Sequence, residues 1–117
     1  MVLALVVLGG LAAGCDTLAT DKTCASGEVC ACTGMGACSR SCEGAGCAFE
    51  CKGDGACDFV CEAGGCTATV TGSGAATLHC PGNNCELTCE GSGSCELTGC
   101  LKDCTLTCGG LGTCVQS

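Results

Sequence analysis

The feature that most restricts this chain is a repeat. From Cys32 onward the sequence falls onto itself when shifted by 19 residues. Gly34, Gly53, Gly72, Gly91 and Gly110 form one column, and Gly36, Gly55, Gly74, Gly93 and Gly112 another. Cysteine supplies four more. The first holds Cys38, Cys57, Ala76, Cys95 and Cys114. The second holds Cys42, Cys61, Cys80 and Gly99, with Cys100 displaced by one. The third holds Cys47, Cys66, Cys85 and Cys104, and the fourth Cys32, Cys51, Val70, Cys89 and Cys108. A fixed period of this length marks a stack of like units, each of which buries its apolar side only against its neighbours.

Each repeat holds two copies of a Cys-x-apolar-x-Cys pattern. The middle residues are Phe49, Phe59, Leu78, Leu87, Leu97 and Leu106, with Arg40 and Ala68 as weaker members. Alternation at i, i+2, i+4 is the period of a strand and puts all three side chains on one face. With 21 glycines in the chain, helix is excluded, since each costs about 1 kcal/mol in a helix relative to alanine. The gap glycines are expected to supply the positive φ of tight turns. Two strands and two turns per 19 residues make one coil of an all-β, flattened, disulfide-laddered β-solenoid (a β-helix). Its parallel strands stack about 4.8 Å apart, with right-handed coiling. The solenoid domain is expected over 24–117, with 24–31 as an N-terminal cap.

The repeat also constrains the pairing of its cysteines. In the third coil Val70 and Ala76 replace two half-cystines at once, and one turn separates them. If bridges span turns, this joint loss leaves no orphan thiol. If the two columns paired along a coil, Cys57 and Cys89 would both be stranded. Pairing across turns gives Cys32–Cys38, Cys42–Cys47, Cys51–Cys57, Cys61–Cys66, Cys80–Cys85, Cys89–Cys95, Cys100–Cys104 and Cys108–Cys114. Cys24 and Cys30 remain as the bridge of the cap. There are only 2 phenylalanines and no tryptophan or tyrosine, so an ordinary core is beyond this composition and covalent staples must replace it. Bridges in this number require an oxidising compartment.

The beginning of the chain agrees with export. The 14 residues before Cys15 are apolar and end in small residues. That is too short to span a bilayer, for which about 20 residues are needed, and it reads as a signal peptide over 1–14. The stretch LAAGC, Leu11 to Cys15, resembles the lipobox of bacterial lipoproteins. The resemblance implies acylation of Cys15 and anchoring to a membrane through the lipid, with 15–23 as lipidated cysteine and polar tether. It also accounts for parity: of 19 cysteines, one carries lipid and 18 remain to pair. No Lys or Arg follows Met1, which puts the expected natural start upstream.

Little else in the chain points to chemistry. The formal net charge of -8 disfavours nucleic acid as a partner, because its phosphates attract positive charge. One Cys-x-Cys (Cys30, Cys32) and no Cys-x-x-Cys are present, so metal–thiolate binding is an alternative without its usual spacing, and no metal or other cofactor is expected. His79 is the only histidine and falls at an outward position. Asp54 and Asp103 stand singly in turns, which is a poor basis for calcium. The Gly-x-Gly gaps have no following helix to bind phosphate. No catalytic residue is assigned, and the chain is not expected to be an enzyme.

Thr67, Thr69, Thr88, Thr105 and Thr107 are expected to point outward from one sheet as a candidate binding face. The stretches CTLTC and CTATV resemble the Thr-Cys-Thr repeats of insect disulfide-stabilised antifreeze solenoids, which implies ice binding as an alternative function. Threonine is also favoured in strands whatever the function. The leading expectation is an exported cell-envelope lipoprotein, with a freely secreted form as the alternative. It would act as a structural or binding module and associate with further copies at its open ends.

Overall fold

The computed structural model describes residues 21–117. The signal segment, Cys15 and the first residues of the expected tether lie outside them. Eleven short strands follow one another: β1 (Asp21–Cys24), β2 (Val29–Cys32), β3 (Cys38–Cys42), β4 (Ala48–Cys51), β5 (Cys57–Val60), β6 (Thr67–Val70), β7 (Ala76–His79), β8 (Glu86–Cys89), β9 (Cys95–Thr98), β10 (Thr105–Cys108) and β11 (Cys114–Gln116). Odd-numbered strands build a six-stranded sheet in the order β1-β3-β5-β7-β9-β11, and even-numbered strands a five-stranded sheet in the order β2-β4-β6-β8-β10. Every pairing is parallel. The chain therefore alternates between two sheets and advances one strand position per coil, as a β-solenoid does.

The register is 19 residues along both sheets: Cys57 pairs with Cys38 and Ala76, and Cys51 with Cys32 and Val70. The first step of the six-stranded sheet is shorter, because Asp21 pairs with Ser39 and Cys24 with Cys42. Strand β1 thus begins inside the segment expected as tether, and the expected cap is part of a full coil. Its turn is one residue shorter than the next one. Cys24 and Cys30 are also one residue further apart than Cys42 and Cys47, so Cys30 stands in register with Phe49 rather than with a cysteine, and its bridge to Cys24 reaches that middle position.

The interior is a thin layer between the sheets. From the six-stranded sheet it receives Phe59, Leu78 and Leu97, and from the five-stranded sheet Phe49, Ala68 and Leu87, all buried. Phe49 and Phe59 stack with ring centroids 4.6 Å apart and an interplanar angle of 11°, an offset arrangement suited to aromatic quadrupoles. Val70 and Ala76 fill with methyl groups the space of the bridge missing from their coil. Arg40, in register with Phe59, is half-buried near the first coil. Its guanidinium donates to the carbonyls of Ser39 at 2.9 Å and Ala31 at 3.5 Å.

Nine disulfides join Cys24–Cys30, Cys32–Cys38, Cys42–Cys47, Cys51–Cys57, Cys61–Cys66, Cys80–Cys85, Cys89–Cys95, Cys100–Cys104 and Cys108–Cys114. Each spans a single turn. Together they form two columns, one along each narrow edge of the solenoid.

The glycine columns have a different cause from the expected one. Positive φ occurs at Gly27, Gly46, Gly64, Gly65 and Gly99 and at Asn83, Asn84 and Asp103, and none of these belongs to the two invariant columns. At Gly53, Gly72, Gly91 and Gly110 an added Cβ would strike the carbonyl of the glycine one coil before, and Gly55, Gly74, Gly93 and Gly112 repeat the relation. Those turns stack backbone on backbone, and only hydrogen fits between them.

Candidate functional site

Among the described residues, two outer faces, a groove and two sulfur columns are surfaces on which a function can be built. The five-stranded sheet presents two outward columns. One runs Val29, Ala48, Thr67, Glu86, Thr105, and the other Ala31, Glu50, Thr69, Thr88, Thr107. Only Thr69, Thr88 and Thr107 form an uninterrupted threonine run. Glu86 separates Thr67 from Thr105, and Glu50 sits beside Thr69 with its carboxylate 3.1 Å from the Lys52 ammonium. Thr67, Thr69, Thr105 and Thr107 are exposed and Thr88 is half-buried. Parallel pairing holds successive hydroxyls about 4.8 Å apart, a flat array of donors and acceptors without a cleft.

The six-stranded sheet carries the more varied outer face. Ser39, Asp58, Thr77, Glu96 and Val115 share one column, and Ser41, Val60, His79 and Thr98 another. His79 is exposed, and its Nδ1 hydrogen-bonds the Thr98 hydroxyl at 2.9 Å. An added Cβ at Gly99 would meet the same imidazole at 2.8 Å, so the ring lies across the last residue before the following turn. A groove of about 410 Å³ runs over this sheet, lined by Ala75, Thr77, Ser94, Glu96, Thr113 and Val115 among others. It has a single carboxylate and neither His79 nor a second acid, so it offers no acid–base pair. The strand pattern alone did not reveal it. Its signal was the column of small residues Ala75, Ser94 and Thr113 beside the outward positions of β7, β9 and β11.

The turns hold the polar contacts. Gly46, Gly65, Asn84 and Asp103 are 19 residues apart, and all have positive φ. Glycine is replaced there by the two side chains that best tolerate the left-handed region. Asn83 adds a function of its own: its Oδ1 accepts from the amides of Leu101 at 2.9 Å and Lys102 at 3.1 Å. This side chain thereby organises the turn in which Cys100 is displaced. Asp54 accepts from Ser73 Oγ in the next coil at 2.6 Å, a rung of the turn stack.

Comparison with protein-family models, with curated proteins and with solved structures returned no match. The sulfur columns therefore have to be read on their own geometry. The sulfurs of Cys42, Cys61 and Cys66 lie within 4.8 Å of one another, and so do those of Cys61, Cys80 and Cys85. That crowding would suit a metal–thiolate cluster, but every one of these sulfurs is held in a disulfide. A disulfide sulfur has no thiolate charge to offer an ion.

Proposed function

We propose that the chain is an exported, lipid-anchored structural or binding module of the bacterial cell envelope, with no catalytic step of its own. The observation that supports this most directly is that all 18 cysteines after Cys15 are engaged in the nine turn-spanning bridges. Disulfides in this number persist outside the reducing cytosol, and Cys15 is left over for acylation. Short bridges closing every coil but one edge of the third suit a body exposed to proteases, because local opening cannot propagate past a closed turn. In this reading the lipid on Cys15 holds the module to a membrane, and the sheet edges formed by β10 and β11 among the described strands are where a second copy adds.

Fractionation of a bacterial host expressing the chain tests the anchor. The wild type is expected with the membranes and Cys15→Ala in the soluble exported fraction. Intact mass of the non-reduced protein should show acyl mass and no free thiol. A soluble wild type with an unmodified Cys15 would overturn the anchored reading.

A second reading, ice binding, rests on the outward-facing run Thr69, Thr88, Thr107 held in register. Thermal hysteresis of the purified protein decides it, and its absence at millimolar concentration removes that reading while leaving the first intact.

A further inference from the structure

The two disulfide columns are not equivalent, and the difference lies between bridges rather than within them. In the column at the β3–β4, β5–β6 and β7–β8 turns, Cys61 Sγ lies within 4.8 Å of Cys42 Sγ on one side and of Cys80 and Cys85 Sγ on the other. Cys61, Cys66, Cys80 and Cys85 are all buried. The Cys104 sulfur accepts from the Cys85 amide at 3.2 Å, so the column continues toward the half-buried bridge Cys100–Cys104. The opposite column is broken at its centre by Val70 and Ala76. Among the described residues no trio of its sulfurs comes as close.

We infer that the continuous column conducts thiol–disulfide exchange along the solenoid, while the interrupted column holds an opened thiol in place. A thiolate on Cys61 attacks Cys80 Sγ. The Cys61–Cys80 bond forms, the Cys80–Cys85 bond breaks, and the electron pair leaves on Cys85 as a new thiolate. The exchange is redox-neutral. The first thiolate arises by two-electron reduction of one bridge by an external dithiol, which is itself oxidised to a disulfide. Exchange requires a thiolate in near contact with a bridge sulfur, and the stacked coils supply that contact without a bimolecular encounter. The apolar surroundings disfavour the charged thiolate, so the step is slow but confined to the stack.

The test uses the full chain carrying Cys15→Ser, so that no sulfur outside the bridges contributes. C66A leaves Cys61 without its partner, and C57A leaves Cys51 alone in the other column. Each oxidised protein is held at mildly alkaline pH, quenched in acid, alkylated and mapped without reduction. In C66A roughly half of the label or more is expected to leave Cys61 for Cys47, Cys80 or Cys85, as exchange among comparable bridges requires. In C57A the label stays on Cys51. Label confined to Cys61, or equal scrambling in both variants, overturns the inference. If either variant fails to fold, partial reduction of the unsubstituted bridges by a limiting phosphine replaces it. Doubly labelled molecules should then carry their labels on different bridges of the first column but on one bridge of the second. Labels always on one bridge in both columns would again overturn it.

Discussion

Gly36 and Gly74 occupy the same column and have opposite environments. An added Cβ at Gly36 meets nothing within 4 Å, whereas at Gly74 it meets the carbonyl of Gly55 in the preceding coil. The column's side-chain direction points back along the stack, so only a glycine with a coil behind it is constrained. Gly36→Ala is expected to change stability by less than about 0.5 kcal/mol, like other unencumbered surface changes. Gly74→Ala should cost about 1–3 kcal/mol or more, because the obstructing atom is backbone and cannot rotate away. Denaturant melts of the two variants under identical conditions give the comparison, and equal costs would remove the stacking explanation. Asn83 makes a complementary point. Asn83→Gly keeps the backbone conformation (φ 70) but loses both hydrogen bonds to the Leu101–Lys102 turn, for an expected loss of about 1–2 kcal/mol.

At the level of the element, a coil is two strands, two turns and usually two bridges. Backbone pairing persists where the bridge does not: Thr71 and Gly72 both donate to the Cys51 carbonyl, and Glu90 and Gly91 both donate to that of Val70. The bridge is therefore an addition to a coil already in register. Val70 is aligned with Cys51 and Cys89, and Ala76 with Cys57 and Cys95. The double variant Val70→Cys, Ala76→Cys should consequently form a tenth bridge and stabilise the fold by roughly 2 kcal/mol in the loop-closure account. Loss of two hydrogens in the intact mass and a raised Tm are the readouts; either single variant should show one free thiol and no gain. The same elements explain the core. Leu87, buried between coils, should cost about 2–5 kcal/mol on replacement by alanine. Leu106, half-covered in the last coil, should cost less.

The whole molecule is a sandwich with very little inside it. Neighbouring bridges close loops of four to six residues, each contributing roughly 2 kcal/mol by loop closure. No large aromatic cluster stands behind them. Full reduction is expected to unfold the described domain cooperatively, with loss of the strand signal in far-ultraviolet circular dichroism under mild denaturation. An unchanged spectrum would mean that backbone stacking alone suffices. The ends differ from the middle: among the described strands β10 and β11 each pair on one side only, which leaves a row of backbone groups open to pairing. Association should accordingly begin there, and a sedimentation series in which the mass stays monomeric at every concentration would dismiss it.

The amino-acid sequence by itself determined the repeat, the two-strand coil and the bridging across turns, because each is a local consequence of spacing. Residues two apart face one way in any strand, and the paired loss at Val70 and Ala76 is visible without coordinates. What tertiary structure alone decided concerns neighbours 19 residues apart brought into contact. The two glycine columns looked like turn glycines, and only stacking shows that the preceding coil's carbonyls forbid a Cβ there. The first coil was legible as a cysteine pair but not as a coil, since a turn shortened by one residue hides its period. Likewise Asn83, the groove beside Glu96 and the close sulfurs of Cys42, Cys61 and Cys80 belong to no single segment. Spacing along a chain sets direction and period; distance between coils is set by how closely their backbones and bridges pack.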